Sequence, residues 1–226
     1  MIFLFSITFF ALASCGGPDF SGSISERVQT FYVSSSSSAP NLLAGDRILV
    51  DKQAYRDAAP SWGDIVVCRV SVVDKNVRPR DRYPNAEQRA FIFRIVGLPG
   101  DRIRMQKGDV YINGQPQSLS PIGGPTTLDG HTAQMYQVTG PGRSHKIARL
   151  TKHNYLSLDK MEITVEPDRY FVLGDNRDRA YDSRFWGTVH RDDIVGKGWL
   201  IYFSTEPGTL WLRFSRFFQR IHETAG

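Results

Sequence analysis

Residues 174–187 contain the densest grouping of chemically capable side chains in the sequence. Three aspartates and three arginines follow the apolar run at 170–173, and Gly174-Asp175-Asn176 is typical of a turn. Beside a sheet, such charges must pair with one another or face water. The stretch is therefore either a functional site or a salt-bridged corner that only holds strands together.

A run of five serines at residues 34–38 is the second candidate. Its composition is that of a flexible linker, but it leads into residues 39–52, which predict a definite turn followed by a strand. A flexible linker would not require a defined turn and strand directly after it. A serine hydroxyl becomes a good nucleophile only when a neighbouring base takes its proton, so the positions of candidate bases matter.

Residues 31–52 resemble the nucleophile-bearing segment of type I signal peptidases, the membrane-bound serine proteases that remove signal peptides from exported proteins. The family's pattern is Ser-x-x-Pro, a small polar residue, a leucine and, shortly after, Gly-Asp. Pro40 and Gly45-Asp46 set the register here. The resemblance implies that Ser37 is the nucleophile and that Ser35 contributes its hydroxyl to the oxyanion hole.

Two residues of this segment depart from the family's pattern. Ser38 replaces the usual methionine after the nucleophile, and Asn41 replaces the usual threonine after the proline. The blocks at 62–67 and 91–103, each predicted to contain a strand, resemble the family's next segments.

The second of these blocks lacks the family's general base. The family places a lysine immediately before the Arg of Arg-x-Val-Gly-Leu-Pro-Gly-Asp, and this chain has Phe93 there. A phenyl ring accepts no proton. Arg94 is no substitute, because a guanidinium stays protonated and adjacent strand residues point to opposite faces.

The charged stretch at residues 174–187 also resembles the family's pattern, with a second departure. The family's serine that orients the lysine is replaced by Ala180, which is consistent with Phe93 because a buried hydroxyl without its partner costs roughly 1–3 kcal/mol. The resemblance implies that Asp182 and Arg184 form a structural ion pair. Arg94 and Asp175 are assigned to structural support of the same site.

Length and composition predict a globular chain with one sizeable core. The chain has 226 residues, 41% hydrophobic residues and a net charge of +5. This charge suits either nucleic acid or an anionic membrane; the termini favour the membrane, and no nucleic-acid partner is predicted. The resemblance implies an all-β, mainly antiparallel core with a smaller inserted β-subdomain.

The N-terminus predicts membrane targeting. An apolar run of about 12 residues, 2–13, has the length of a signal-peptide hydrophobic region rather than of a bilayer span. Residues 12–15 resemble a lipoprotein box, in which Cys15 would be lipidated. The alternative is a membrane anchor whose beginning is missing, because no Lys or Arg precedes the apolar run.

Cysteine and histidine give no cofactor or metal site. Cys68, in an apolar run, is predicted to be a small buried hydrophobe. The five histidines are scattered without metal-ligand spacing and are each predicted on the surface or in a loop. No cofactor, metal or disulfide framework is therefore expected.

The chain divides into four parts. We expect a targeting segment and tether at 1–24, a signal-peptidase-like core at 25–107 and 168–208, an inserted subdomain at 108–167 and a tail at 209–226. The aromatic and arginine spacing of the tail predicts an amphipathic helix in a membrane interface.

Three functional hypotheses follow. The chain binds extended, signal-peptide-like segments or another envelope protein at the outer face of the bacterial cytoplasmic membrane, with weak or absent cleavage. Alternatively, it is an active type I signal peptidase whose Ser37 recruits a base from elsewhere, such as Lys52 or a histidine of the insertion. The third hypothesis is an unrelated β-rich envelope lipoprotein, which the matching blocks disfavour.

Overall fold

The computed structural model describes residues 24–70, 89–152, 161–221 and 224–225. The apolar N-terminal run and Cys15, with the predictions made for them, lie outside these residues. Within them, no helix is long and apolar enough to cross a bilayer.

The described part of the chain is built mainly from short antiparallel strands. The two α-helices have one turn each: α1 (Ile24–Arg27) and α2 (Ser183–Trp186). The strands are β1 (Val28–Tyr32), β2 (Asp46–Asp51), β3 (Ile65–Val70), β4 (Arg89–Gly97), β5 (Arg102–Gln106), β6 (Asp109–Ile112), β7 (Gln115–Pro116), β8 (Ser118–Leu128), β9 (His131–Gly140), β10 (Arg143–Leu150), β11 (Glu162–Thr164), β12 (Arg169–Leu173), β13 (Val189–His190), β14 (Ile194–Ser204), β15 (Gln219–Arg220) and β16 (Thr224–Ala225).

The strands form one large sheet and two small ones. The large sheet has the order β1-β2-β14-β3-β4-β12-β13, with β15 added to β14. The small sheets have the orders β16-β10-β9-β8 and β11-β5-β6-β7. All pairings between these strands are antiparallel, so the predicted all-β fold is confirmed.

Strand alternation places apolar side chains on both faces of the large sheet. In β3, Val66 and Cys68 pack into one cluster while Ile65 and Val67 pack into the other. A third cluster joins the sheet to β5 and β6. The predicted burial of Cys68 is confirmed, and burial raises the pKa of its thiol.

The inserted segment contributes most strands of the two small sheets. However, β5 precedes the predicted boundary at residue 108, and β16 comes from the tail. The boundaries of the four predicted parts remain predictions.

The amphipathic helix predicted for residues 209–226 is wrong for the described residues. The tail has a 3₁₀ turn at Phe214–Arg216, and β15 pairs with β14. Arg216 bonds both carboxylate oxygens of the buried Asp46, at 2.9 and 2.6 Å, and Arg213 bonds Ser204 at 2.9 Å. An interfacial helix would instead direct its arginines outward, away from these partners.

The prediction that each histidine lies on the surface or in a loop is wrong for His145. His145 lies on β10 and is only 3% exposed. His153 and His222 lie outside the described residues.

Candidate functional site

The serine run forms a short capped turn after β1. A 3₁₀ turn spans Ser36–Ser38, and the Ser35 side chain caps it by accepting from the Ser37 amide. The Ser35 and Ser37 hydroxyl oxygens lie 3.0 Å apart. Ser35 Oγ and the Ser37 amide, the donors that an oxyanion hole would need, are therefore paired with each other in this state.

The charged loop holds the serine turn in place. The Asn176 amide donates to the Ser37 carbonyl at 3.0 Å, and Asn176 Nδ2 donates to the Ser36 carbonyl at 3.1 Å. On the other side, Ser38 Oγ donates to the Ile92 carbonyl of β4 at 3.2 Å. The serine turn is thus fixed between the loop after β12 and the strand that carries Phe93.

Gly174 brings the charged loop against the Ser37 backbone. A Cβ added at this glycine would lie 2.7 Å from the Ser37 carbonyl oxygen, and it would collide with the Ala180 Cβ. Only glycine permits this approach. The fold therefore places Ala180 close to Ser37.

Phe93 fills an apolar cluster beside the serine turn. Its side chain is 3% exposed, and its ring lies 5.7 Å from that of Trp186 and 5.8 Å from that of Phe91. Over the described ranges, the only hydrogen-bond partner of Ser37 Oγ is Ser35 Oγ. No side-chain base is bonded to the candidate nucleophile there.

Arg94 and Asp175 form a buried ion pair that joins β4 to the charged loop. Two parallel bonds of 2.7 and 2.8 Å connect them, and Arg94 also donates to the Gly63 carbonyl. Asn41, which follows the serine turn, donates to Asp175 at 2.7 Å. This pair ties the serine segment to two strands of the large sheet.

Asp182 and Arg184 form a second buried ion pair. Arg184 bonds both Asp182 oxygens, at 2.7 and 2.8 Å, and the Asp182 carboxylate accepts from the Gly174 amide at 2.9 Å. The pair supports the backbone on which Ala180 is carried. The roles inferred for these residues in the sequence remain proposals.

The tip of the β8–β9 hairpin contacts the serine turn, which the sequence did not predict. Asp129 accepts from the Ser36 hydroxyl at 2.8 Å and from Arg179 at 3.1 Å, while Arg179 Nη1 lies 3.3 Å from His131 Nε2. The Ser36 hydrogen bond lowers the pKa of Asp129. The Asp129-Gly130 dipeptide was the available signal, because it is typical of a hairpin turn.

Lys52, one of the substitute bases considered, lies far from Ser37. The antiparallel strands β1 and β2 pair Val28 with Asp51 and Tyr32 with Arg47. Ser37 follows the Tyr32 end and Lys52 the opposite end, a separation of roughly 13 Å or more along the strands.

The tail carries an exposed apolar surface. We call it the tail patch; its side chains are between 69% and 94% exposed and comprise Leu210, Trp211, Phe214 and Phe218. The nearby Arg216 donates to the Asn41 carbonyl at 2.9 Å. The tail patch therefore lies on the segment that buttresses the residues following Ser37.

A family model and several individual proteins match this chain. The family model described as "Signal peptidase, peptidase S26" matches residues 21–203. The chain is similar to the signal peptidase I of Leptolyngbya laminosa, with 34% identity over 74% of this chain and 64% of that protein. It is 32% identical to the signal peptidase I of Pseudomonas aeruginosa, over 78% of this chain and 65% of that one.

Two further proteins match this chain over more of their own length. The signal peptidase I of Aquifex aeolicus is 31% identical over 80% of this chain and 78% of its own length. A crystal structure of a signal peptidase I from Enterococcus faecalis aligns with 62% of this chain and 96% of that one, at 21% identity and a TM-score of 0.35. The chain thus spans less than two thirds of the Leptolyngbya and Pseudomonas proteins.

Proposed function

The chain belongs to the signal peptidase family, peptidase S26, and we propose that it binds extended, signal-peptide-like segments beside Ser37 while cleaving them weakly or not at all. The observation that carries this proposal is Phe93, buried in an apolar cluster at the position of the family's lysine. Loss of a general base costs typically about 10²- to 10⁴-fold in rate. The self-paired hydroxyls of Ser35 and Ser37 are consistent with an inactive ground state.

An open strand edge supports peptide binding. The first half of β4 pairs with β3, whereas β12 pairs only with the second half, from Arg94 to Gly97. In the described ranges, residues 90–92 therefore have one edge without a strand partner, next to the serine turn. An extended peptide can add to such an edge through its backbone, and this binding needs no lysine.

The tail patch supports a membrane location. Large apolar side chains grouped on a surface are typical of membrane or protein interaction sites. We assign the tail patch to the outer face of the cytoplasmic membrane, with an anionic surface as partner. Exported signal peptides, or another envelope protein with an extended segment, would then reach β4 from the bilayer.

The second candidate function is an active signal peptidase with a substitute base. The observation that favours it is the β8–β9 tip, which places His131 and Asp129 in one hydrogen-bonded network with Ser36. An imidazole can accept a proton near neutral pH. In this structure, however, Asp129 rather than His131 contacts the serine turn, and the serine contacted is not Ser37.

The experiment measures binding and cleavage of a fluorescent signal peptide by the full chain in detergent. Wild type and Ser37→Ala are expected to bind the peptide equally, with no Ser37-dependent cleavage at ordinary enzyme rates. Combined Phe93→Lys and Ala180→Ser changes supply a base and its orienting hydroxyl, so Ser37-dependent cleavage is expected to appear. Phe93→Met with Ala180→Ser is the matched control, since methionine has similar length but no base.

Absence of peptide binding to wild type would contradict the binding proposal. Ordinary cleavage by wild type that is lost in Ser37→Ala would favour the second candidate. In that case, His131→Ala should abolish cleavage if the hairpin supplies the base.

A further inference from the structure

Buried polar atoms without hydrogen-bond partners, most of them donors, meet at the seam between the charged loop and the inserted strands. His145 is 3% exposed and Arg177 is 6% exposed. Neither ring nitrogen of His145, nor Nε and Nη2 of Arg177, nor Nε2 of Gln117 has a partner in the described part of the chain, and neither has the acceptor Oδ1 of Asn176. Leaving such groups unpaired is costly, so a ligand or water is expected among them.

Strand register places these side chains together. Leu119, Val138 and His145 are aligned across β8, β9 and β10. Gln117 lies between β7 and β8, two residues before Leu119. Arg177 comes from the charged loop and donates to Gln117 Oε1 at 3.4 Å.

Apolar groups enclose the seam. The Trp62 ring lies 5.1 Å from the His145 ring and belongs to a buried cluster with Val138 and Ile147. Leu119 packs against the same cluster. The seam therefore combines several polar hydrogen atoms with a low-dielectric wall, which strengthens any charge–charge interaction inside it.

The charge balance favours an anion over neutral water. Arg94 is paired with Asp175, and Arg184 with Asp182. Arg177 forms no ion pair with any carboxylate that the structure describes. Burial and repulsion from Arg184 lower its pKa to about 10, and the nearby carboxylates of Asp175 and Asp182 offset only part of this effect. Burial and the charges of Arg94 and Arg177 also lower the pKa of His145, which keeps this imidazole neutral.

We propose that this seam binds one small inorganic anion, such as chloride, between Arg177 and Gln117, with the ring N–H of His145 as a further donor. The bound anion compensates the buried guanidinium charge, which is otherwise expensive to maintain. The site lies where the insertion meets the serine turn, because the Arg177 amide bonds the Ala148 carbonyl while the adjacent Asn176 amide bonds the Ser37 carbonyl. The site is independent of whether peptides are cleaved.

The first test is a crystal of the full chain grown in sodium bromide. An anomalous bromide peak within hydrogen-bond distance of Arg177 Nε and Nη2 is expected. An ordered water without anomalous signal at that place would overturn the proposal.

The second test measures thermal unfolding in bromide against gluconate at equal ionic strength. A tenfold excess of bromide over its dissociation constant should raise Tm by roughly 3–6 °C. Arg177→Met should abolish this shift, whereas Arg179→Met, which removes the same charge from an exposed side chain, should keep it.

If Arg177→Met fails to fold, Gln117→Leu tests the proposed anion site instead. This variant removes one hydrogen-bond donor. It should move the bromide dependence of Tm to about tenfold higher concentration, because the loss of one hydrogen bond to a charged group weakens binding by about that factor. An unchanged bromide dependence in Gln117→Leu, or equal Tm values of wild type in the two salts, would contradict the proposal.

Discussion

Phe93 and its neighbour Arg94 determine what the site can do. Adjacent strand residues face opposite sides, so the phenyl ring joins the apolar cluster with Trp186 while the guanidinium reaches Asp175. The ion pair ties the serine segment to the large sheet through Asn41. The phenyl ring offers no group that could take a proton from Ser37.

The residue-scale prediction concerns the Arg94–Asp175 pair. Asp175→Asn leaves a guanidinium that is 1% exposed without its counter-charge, and it should lower the free energy of unfolding by roughly 3–5 kcal/mol. Urea unfolding measures this loss. Glu162→Gln is the control, because its pair with Arg102 is exposed and should cost about 1 kcal/mol or less.

Equal losses in these two variants would show that burial does not govern the energy of the Arg94–Asp175 pair. Contacts other than this ion pair would then have to stabilise the serine segment.

Two elements outside the large sheet stabilise the segment around Ser37. The β8–β9 hairpin contacts Ser36 through Asp129, and the tail contacts Asp46 and Asn41 through Arg216. Both contacts are hydrogen bonds of charged side chains, and the tail also packs Phe217 against Phe203. The serine segment is therefore sensitive to changes far from it in sequence.

The pH dependence of the hairpin contact has a defined sign. Because the pKa of Asp129 is lowered, its contact with Ser36 contributes fully above the ordinary carboxyl pKa and is lost as the pH falls through the lowered value. Ser36→Ala should raise the pKa of Asp129 toward its ordinary value, measured by carboxyl NMR titration. Ser34→Ala is the matched control, and a lowered pKa that persists in Ser36→Ala would contradict this origin.

The tail should lose its anchorage when Arg216 is changed. Arg216→Gln removes charged hydrogen bonds to the fully buried Asp46, so we expect a loss of about 1.5–3 kcal/mol in urea unfolding. Arg220→Gln changes an exposed arginine of the same tail and should have little effect. Equally small losses of unfolding free energy in both variants would mean that the tail is held by its apolar residues instead.

Across the whole molecule, the serine segment contacts both the open edge of β4 and the tail that carries the tail patch. Ser38 contacts β4 through the Ile92 carbonyl, and Arg216 contacts Asn41 only three residues later. A bilayer that receives the tail patch would thus lie beside the proposed peptide edge. This arrangement suits a peptide that emerges from the membrane.

Brominated lipids in anionic vesicles test the membrane contact of the full chain. They should quench the fluorescence of Trp211, which is 75% exposed, and Trp211→Phe should remove that part of the quenching. Phe218→Ser should weaken vesicle binding by about tenfold, the loss expected when part of a large apolar side chain is no longer buried.

Tyr181→Ser provides the control for vesicle binding, because Tyr181 is exposed but follows β12, three strands from β14 in the large sheet. Unchanged quenching in Trp211→Phe, or equal effects of Phe218→Ser and Tyr181→Ser, would place the membrane contact outside the tail patch.

The local sequence was sufficient for the family, the β class and several strands. Alternating apolar residues, the Pro-Gly turn after β4 and the Gly-Asp motifs act over a few residues, so their structural meaning is readable without the fold. The predicted replacement of a base by Phe93 and of a hydroxyl by Ala180 rests on the same motifs, because a motif assigns each position a chemistry.

Tertiary structure decided what distant residues do to one another. The spacing of the tail predicts a helix, but Arg213 and Arg216 gain buried partners only when the tail folds across Ser204 and Asp46. Likewise, the hairpin contact with Ser36 and the burial of His145 depend on how the insertion packs. Sequence periodicity records local geometry, whereas pairing of buried charges depends on which distant groups the sheets bring within a few ångströms.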